Sequence, residues 1–247
     1  KQNLKEVKKF ATVLDPIMIE GKAKLPSKFR ITAEACKIAG KNNLKKNKIL
    51  VIGGGSSEEI DDVRVITNKS TGKMAKHLAE TAFNMGADVE LWMGETTEVV
   101  GEWISQQKFN SVEDLSKKIK KLSKYDAILV PAALSDFVPV KTKGKISSQK
   151  IPEIKLKKAK KVIELLRKKH KGKLCTFKLE SGLSDNKLVE KGKKLLKSAD
   201  IVVANHSEVL GDENTKLVII TKKENKWIKD TKINASKQIL KEIVKKI

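Results

Sequence analysis

Residues 61–74 read DDVRVITNKSTGKM and lead directly into a segment with helical periodicity. The apolar residues that recur at the spacing of one helix face are Met74, Leu78, Ala82 and Met85. The cations, carboxamide, hydroxyls and glycine before them therefore lie at or before the first turn of a helix over 73–85. Unpaired N–H groups and the helix dipole favour negative charge there, so the stretch predicts an anion site. Gly86 is placed to close this helix in a left-handed conformation.

Two phosphate-binding motifs come close to this region without matching it. A Walker A loop needs a glycine five residues before its Gly-Lys pair, but Thr67 stands there and Met74 follows the pair. The glycines at 53–55 follow an apolar run but lack the third glycine of GxGxxG. A P-loop and a conventional dinucleotide site are therefore disfavoured. A tight turn at the glycines and simple helix capping by residues 68–71 stay equal alternatives to an anion site.

The composition restricts the class of protein. At 247 residues the chain is one large or two small domains, and it has no apolar run of about 18 residues that would cross a membrane. Its two cysteines, Cys36 and Cys175, lie far apart in apolar patterns typical of reduced thiols, so we expect a cytoplasmic protein. The three histidines form no cluster with the cysteines, which disfavours a zinc site.

The net charge of +23 raises the alternative of a basic nucleic-acid-binding module. Against it, three of the 53 basic residues are arginine and Tyr125 is the sole tyrosine, whereas nucleic-acid contacts favour arginine forks and stacked aromatics. The lysines are also spread along helix faces. We therefore expect no nucleic-acid partner. A nucleotide-sugar or dinucleotide-dependent oxidoreductase on a related sheet is a third, weaker alternative.

Residues 1–47 show a weak pattern interrupted by Pro16 and Pro26, and they predict an arm or linker with one helix over 32–39. From residue 48 onward, short apolar runs alternate with amphipathic segments. Strands are predicted at 49–52, 89–93, 127–130, 174–179 and 201–204, and helices at 73–85, 111–123, 159–170 and 185–197. This alternation predicts an α/β fold, Rossmann-like, with a mostly parallel sheet and helices on both faces.

The local signals at the chain's later turns are specific. Ser111 and Asp114 form a capping box at the start of the second predicted helix. A C-terminal hairpin is predicted from 217–221 and a piece near Trp227, with Asn225 in its turn, followed by a last helix capped by Asn234. Loops at the carboxyl ends of parallel strands bind ligands in open α/β sheets, so the glycine loop and the loop 131–148 should lie along one edge.

Several segments, taken in order, resemble the phosphopantothenate-cysteine ligase family, also called phosphopantothenoylcysteine synthetase. The likeness covers roughly residues 48–247, and five ordered motifs are more specific than one. The matching segments are the signature at 61–74, the second motif at 132–137, the essential lysine at Lys145, the Phe-x-x-Glu strand end at Phe177 and Glu180, and the run of Lys193, Lys197, Asp200, Ala204 and Asn205.

The resemblance implies a ligase of coenzyme A biosynthesis that joins cysteine to 4'-phosphopantothenate. Microbial members usually spend CTP and release CMP and pyrophosphate through an acyl-cytidylate. For this chain the resemblance implies CTP, with ATP as the alternative nucleotide. The form of residues 72–74 is similar to that microbial branch. Two anions must meet when the substrate carboxylate attacks the nucleotide, so cations and Mg²⁺ are expected at the site.

The resemblance also implies a homodimer. In many microbes the ligase follows a flavin-dependent phosphopantothenoylcysteine decarboxylase on the same chain. On that premise, residues 1–47 are a remnant of the preceding decarboxylase domain and residues 48–247 are the ligase domain. FMN is expected only if the decarboxylase is fused, and the decarboxylase is otherwise a separate partner.

Individual roles follow from the resemblance. Lys145 is expected to neutralise the nucleotide and the developing charge, and Asn68 to hold the acyl-nucleotide while the cysteine amine attacks. Arg64 is expected to bind the substrate phosphate, and Asp136 to bind Mg²⁺ or a ribose hydroxyl. The other expected nucleotide-binding residues are Gly53, Gly54, Ser70, Phe137, Phe177, which would lie against the cytosine, Lys193 and Lys197. The other expected substrate-binding residues are Ala132 and Ala133.

Without the resemblance, plainer interpretations are stronger at four of these positions. Asp136 is then a turn residue, Phe177 a core aromatic, and Lys193 and Lys197 solvated lysines.

Overall fold

A computed structural model describes residues 2–40, 43–147, 149, 151, 153–209, 211–245 and 247. The helices in these residues are α1 Gln2–Val7, α2 Lys28–Ala39, α3 Lys73–Asn84, α4 Val112–Lys120, α5 Val162–Lys169, α6 Asp185–Leu195 and α7 Lys232–Val244. The strands are β1 Ile17–Ile19, β2 Lys22–Lys24, β3 Lys48–Gly53, β4 Ser57–Glu59, β5 Val65–Thr67, β6 Asp88–Met93, β7 Ser105–Lys108, β8 Ala127–Val130, β9 Phe137–Pro139, β10 Leu156–Lys158, β11 Lys173–Glu180, β12 Ile201–His206, β13 Asn214–Ile220 and β14 Asn225–Thr231.

The centre of the molecule is an eight-stranded sheet in the order β14-β13-β12-β11-β8-β3-β6-β7. The six strands from β7 to β12 in this sheet run parallel, and β13 and β14 form an antiparallel hairpin at the other edge. The predicted α/β architecture with a C-terminal hairpin and helix is confirmed. Counted along the chain, the parallel strands have the spatial order 3-2-1-4-5-6, which reverses between β3 and β8. In sheets of this type the crevice at that reversal is where ligands bind.

Strand β3 shows why the sheet is covered on both faces. Its apolar side chains alternate, so that Ile49 and Val51 join one core while Leu50 and Ile52 join the other, and all four are fully buried. Burying such a side chain stabilises the fold by about 1.5–3 kcal/mol. Helices α3 and α7 pack on the first face and helices α4, α5 and α6 on the second.

The predicted helix boundaries with a clear chemical signal are confirmed. Helix α3 begins at Lys73, and Gly86 follows its end with φ of 96°, where a left-handed glycine was expected. The Ser111 side chain accepts the Asp114 N–H at 3.1 Å at the start of α4. The predicted second, third and fourth helices were all too long at one or both ends.

Two predicted turn and cap residues are wrong by a few positions. Thr231, not Asn234, caps α7, because the Thr231 Oγ1 accepts the Asn234 N–H at 3.2 Å and Asn234 lies inside the first turn. Asn225 is the first residue of β14 rather than part of the turn. The turn is closed instead by the Thr221 hydroxyl, which accepts the N–H groups of Lys223 and Glu224.

Seven of the described strands were not predicted: β1 and β2 in the N-terminal segment, and five short or polar strands after residue 48. Strand β7 reads SQQK and is wholly exposed at the sheet edge, so it has no apolar signal. The other four form the hairpin β4–β5 and the antiparallel pair β9–β10, and β4 lies against β9. These two pairs stand beside the loops that follow β3 and β8.

The N-terminal segment contains α1, the β1–β2 hairpin and α2, and most of its side chains are exposed. Helix α2 over Lys28–Ala39 covers the predicted helix over 32–39 and packs against α3. Leu44 is fully buried, and its N–H donates to Met85 O at 3.0 Å. None of the helices described is both long enough and apolar enough to span a bilayer.

Candidate active site

The loops that follow β3 and β8 meet at the carboxyl edge of the sheet, as predicted. The Ala133 N–H donates to Gly54 O at 2.9 Å, and the Ser56 N–H donates to Ala133 O at 3.1 Å. The Ser56 hydroxyl is fully buried and donates to the Ser135 hydroxyl at 3.0 Å. Ser56 Oγ also accepts the Ser135 N–H at 3.0 Å. The two loops therefore form one hydrogen-bonded unit where the strand order reverses.

The signature stretch returns to this same unit. Asn68 is exposed, and its Nδ2 donates to Ala133 O at 2.9 Å. The Thr67 hydroxyl donates to Ser56 O at 2.9 Å. The alternative that residues 68–71 cap a helix holds for Thr71 but not for Asn68. Gly72 is the N-cap of α3, and the Thr71 hydroxyl accepts the Lys73 N–H at 3.3 Å. Asn68, Ala133 and the glycine loop are thus adjacent, and we define them together with Ser56 as the edge site.

Gly53 and Gly54 have structural reasons to be glycine. A Cβ at Gly53 would lie 2.0 Å from the Ala75 Cβ, so its absence lets the first turn of α3 pack directly on the end of β3. Gly54 has φ of +74°, and a Cβ there would lie 2.7 Å from Glu95 O. Ser70 lies on the same side, 3.6 Å from where a Cβ on Gly55 would stand. The structural interpretation of the glycines thus holds for Gly53 and Gly54, and the close packing at Gly53 places the start of α3 at the edge site. The anion site stays a prediction.

Lys73, the first residue of α3, also contacts the loop between β12 and β13 at the same edge of the sheet. Lys73 Nζ donates to Glu213 Oε1 at 2.6 Å and to Gly211 O at 3.0 Å. The hydrogen bond to Glu213 raises the pKa of Lys73, while Lys73 lowers the pKa of Glu213. This ion pair holds the loop between β12 and β13 beside the start of α3.

Lys145 belongs to a different structural unit, which lies at the turn between β4 and β5. The Ile146 N–H donates to Asp61 Oδ2 at 3.0 Å, and the Gly144 N–H donates to Asp62 Oδ2 at 2.9 Å. Arg64 Nη1 donates to Asp61 Oδ2 at 2.8 Å and to Ile146 O at 3.2 Å. We call Asp61, Asp62, Arg64 and residues 144–146 the clamp.

Burial makes Asp61 the centre of the clamp, since its side chain is fully buried. The hydrogen bond from the Ile146 N–H, with further ones from the Val63 and Arg64 N–H groups, lowers the pKa of Asp61 from 3.8 to about 2. The carboxylate is therefore charged at every ordinary pH. Lys141 adds an exposed ion pair to Asp62 at 3.0 Å, and such surface pairs contribute little.

Strand β5 separates the two residues for which catalysis was predicted. Arg64, which contacts the Lys145 loop, precedes β5, and Asn68 follows it. Four residues of extended chain span about 13 Å. The edge site and the clamp are consequently joined by one strand, with Asn68 at one end and the lysine loop at the other.

Four other residues were predicted to bind the nucleotide or the substrate, namely Ala132, Asp136, Phe137 and Phe177. Ala132 lies beside Ala133, and its N–H donates to Ile52 O at 3.1 Å. Asp136 follows the edge site and pairs with Lys161 at 2.7 Å, both side chains being largely exposed. Phe137 is 56% exposed. Phe177 is half-buried and packs on the face of the sheet that α3 covers, so the core interpretation holds for part of its ring.

Lys193 and Lys197 lie away from the edge loops. Helix α6 carries the chain back from the carboxyl end of β11 to the beginning of β12. Lys193 is in its last turn and Lys197 follows the helix end at Leu195, and both side chains are exposed. Their assignment to the nucleotide stays a prediction.

No group of three or more histidine, cysteine, aspartate or glutamate residues within the described ranges is arranged to hold a metal ion. Magnesium does not need such a group, because it is commonly held by one or two carboxylates together with substrate phosphates and water. Asp136, exposed beside the edge site, fits that limited role.

Sequence reasoning missed three residues of this region. Asp61 was part of the quoted stretch but received no role, although an aspartate that can accept the N–H of the second residue after it is a signal for a turn. Ser56 and Ser135 carried no local signal, because their contact joins residues 79 apart in sequence.

Comparison with known proteins shows the family and the fold of the chain. The sequence model of a family described as the DNA/pantothenate metabolism flavoprotein C-terminal domain matches residues 44–247. A coenzyme A biosynthesis bifunctional protein CoaBC from Methanocaldococcus jannaschii is 34% identical over 240 residues, which cover 94% of this chain and 59% of that protein. The chain thus spans about three-fifths of that relative's length.

Two solved structures are also similar. One is the crystal structure of the DNA/pantothenate metabolism flavoprotein from Streptococcus pneumoniae, with a TM-score of 0.73 and 26% identity, covering 80% of this chain and 98% of that one. The other is the C-terminal domain of a coenzyme A biosynthesis bifunctional protein CoaBC, with a TM-score of 0.69 and 27% identity, covering 83% of this chain and 97% of that one.

Proposed function

The chain belongs to the DNA/pantothenate metabolism flavoprotein C-terminal domain family, and on that premise we propose that it joins cysteine to 4'-phosphopantothenate in coenzyme A biosynthesis. The relatives' printed names support the pathway. The observation that carries the proposal is the contact of Asn68 Nδ2 with Ala133 O at 2.9 Å. It joins two segments that resemble ligase motifs at the crevice between β3 and β8, where such sheets bind ligands.

The edge site suits an activated, phosphate-bearing intermediate. Helix α3 begins there at Lys73, after Gly72. The Thr71 hydroxyl accepts the Lys73 N–H at 3.3 Å, and the first turn still presents the positive end of the helix dipole to an anion. Asn68 adds a neutral amide, which donates and accepts hydrogen bonds without contributing charge. We assign Asn68 to holding the acyl-nucleotide while the amine of cysteine attacks its carbonyl carbon.

The clamp suits the step before this one, in which the acyl-nucleotide forms. The substrate carboxylate attacks the α-phosphorus of a nucleoside triphosphate and pyrophosphate leaves, so negative charge must be neutralised as the two anions meet. Lys145 is exposed on an anchored loop, and we assign it to that charge. Arg64 is 42% exposed beside it and can also meet the substrate phosphate. When bound with the nucleotide, Mg²⁺ would neutralise phosphate charge, and Asp136 would hold it.

We further propose a homodimer formed through the two strand pairs β4–β5 and β9–β10. The β4–β5 hairpin exposes Val63 in its turn at 65% and Val65 at 51%, and β9, which lies against β4, exposes Phe137 at 56%. Large exposed apolar side chains that cluster are typical of interaction surfaces. A second copy would also let the lysine loop of one protomer approach the Asn68 of the other, which the length of β5 separates within one protomer.

We take CTP as the nucleotide, with ATP as the alternative, and the acyl-cytidylate as the intermediate. Because the M. jannaschii relative is described as bifunctional, a flavin-dependent decarboxylase is the expected partner activity, fused or separate.

The decisive experiment is a coupled assay for pyrophosphate release. The full chain is incubated with 4'-phosphopantothenate, cysteine, Mg²⁺ and one nucleoside triphosphate at a time. We expect turnover with CTP above that with ATP, and a product whose mass corresponds to the cysteine conjugate. Absence of pyrophosphate with all four nucleotides, from a protein that melts cooperatively, would remove the proposal.

A further inference from the structure

We propose that Asp61 is a positioning residue whose buried carboxylate holds the Lys145 loop against the turn between β4 and β5. It thereby sets where the Lys145 ammonium enters the reaction. The catalytic part of this inference rests on the proposed function, which assigns Lys145 to the charge of the nucleotide. The structural part rests on the contacts of the clamp alone.

The two carboxylate oxygens of Asp61 accept different hydrogen bonds. Oδ1 accepts the N–H groups of Val63 at 2.8 Å and Arg64 at 2.6 Å, which closes the local turn. Oδ2 accepts the Ile146 N–H at 3.0 Å and Arg64 Nη1 at 2.8 Å. Since Arg64 Nη1 also donates to Ile146 O at 3.2 Å, both backbone groups of the residue after Lys145 are held.

The residue before Lys145 is held by the neighbouring aspartate. Asp62 Oδ2 accepts the Gly144 N–H at 2.9 Å, and the Asp62 N–H donates to Gly144 O at 3.3 Å. The Asp62 side chain is 50% exposed, whereas that of Asp61 is fully buried. Hydrogen bonds to a carboxylate are stronger where water is excluded. Asp61 is therefore the stronger of the two anchors of the loop, and the exposed Asp62 is the weaker one with which it is compared.

The test compares Asp61→Asn with Asp62→Asn in the full chain. An asparagine at position 61 retains one acceptor oxygen for four donors, and its NH₂ group then faces N–H donors. We expect faster hydrogen exchange of the amides in residues 142–147 and about a 100-fold lower kcat for pyrophosphate release with CTP, the cost typical of a small misplacement of a catalytic group. For Asp62→Asn we expect a decrease of less than about 10-fold.

A second variant removes the donor of the hydrogen bond between Ile146 and Asp61. Ile146→Pro removes the N–H that Asp61 accepts and leaves the carboxylate and Arg64 in place. It should raise loop exchange and lower kcat as Asp61→Asn does, with an unchanged KM for cysteine. A cooperative melting transition that stays above the assay temperature in either variant separates misplacement from unfolding.

The outcomes are distinct. Unchanged exchange in residues 142–147 in both variants would overturn the clamp itself. Faster exchange with wild-type kcat would overturn its catalytic role. If the wild-type chain releases no pyrophosphate with any nucleotide, the proposed function fails and the catalytic role fails with it. Hydrogen exchange then still decides whether Asp61 holds the loop.

Discussion

The edge site and the clamp stand at opposite ends of β5 and are built by different forces. The edge site sits on the buried parallel strands, where glycines let α3 and β3 approach closely and backbone bonds join the two loops. The clamp lies among exposed hairpins, where one buried carboxylate gathers four donors. Apolar packing thus sets the neutral half of the candidate active site, and a single charged group sets the cationic half.

Removing the lysine of the clamp should have the largest effect. Lys145→Ala deletes the ammonium assigned to the developing charge, and loss of one such preorganised donor lowers kcat about 10²–10³-fold, or about 3–4 kcal/mol. Pyrophosphate release in the absence of cysteine measures this step directly. Lys143→Ala, two residues earlier in the same exposed loop, is the control and should retain wild-type activity. Equal losses in both variants would show that loop charge in general is required.

Replacing Asn68 in the edge site with a charged residue should slow the second step, in which the cysteine amine attacks the acyl-nucleotide. Asn68→Asp replaces the Nδ2 that donates to Ala133 O with an oxygen that repels it. A lost hydrogen bond of this kind costs about 1–3 kcal/mol, so we expect product formation to fall about 10- to 100-fold while the acyl-nucleotide accumulates. Quenched reactions analysed by mass spectrometry detect the intermediate.

The control for that variant is Asn225→Asp. Asn225 is exposed on β14, the outermost strand of the sheet, away from the edge site. The substitution makes the same chemical change and should leave both steps intact. Full activity in Asn68→Asp would show that our assignment of the amide is wrong.

Packing beneath the edge site can be tested by stability. Gly53→Ala places a methyl group 2.0 Å from the Ala75 Cβ, and overpacking of this type costs about 1–3 kcal/mol of the free energy of unfolding. Urea denaturation measures the loss. The double variant Gly53→Ala with Ala75→Gly should lose less than the sum of the two single variants. If the losses in the free energy of unfolding are additive, the methyl group at position 53 does not act through its contact with Ala75.

The smallest expected effect is on the melting temperature at low pH, where the clamp loses the charge of Asp61. The folded-state pKa of Asp61 is lowered to about 2 from an ordinary 3.8. Its contribution to stability is therefore complete above about pH 4 and is lost as the pH falls towards 2. The difference in melting temperature between wild type and Asp61→Asn should shrink over that window. A difference that stays constant from pH 5 to pH 2 would show that the charge of Asp61 is not what stabilises the clamp.

Periodicity and capping chemistry were enough to predict the main elements. The buried run in β3, the Gly86 turn and the Ser111 cap all act through neighbours in sequence, so their signals are local. Asn234 was assigned the cap of α7 because asparagine is a good capping residue, but Thr231 is another one three residues earlier. Strand β7 could not be predicted, because an edge strand with exposed polar side chains has no hydrophobic pattern.

Sequence by itself determined the order of the main parallel strands and helices, the family and a set of candidate residues, because these depend on side-chain type and spacing. Tertiary structure alone decided how those residues are grouped. It brought Asn68 to Ala133 across 65 positions and the Lys145 loop to Asp61 across 85. Such pairings arise from strand order and burial. They also decide that an aspartate with no assigned role holds the loop of the lysine expected to act in catalysis.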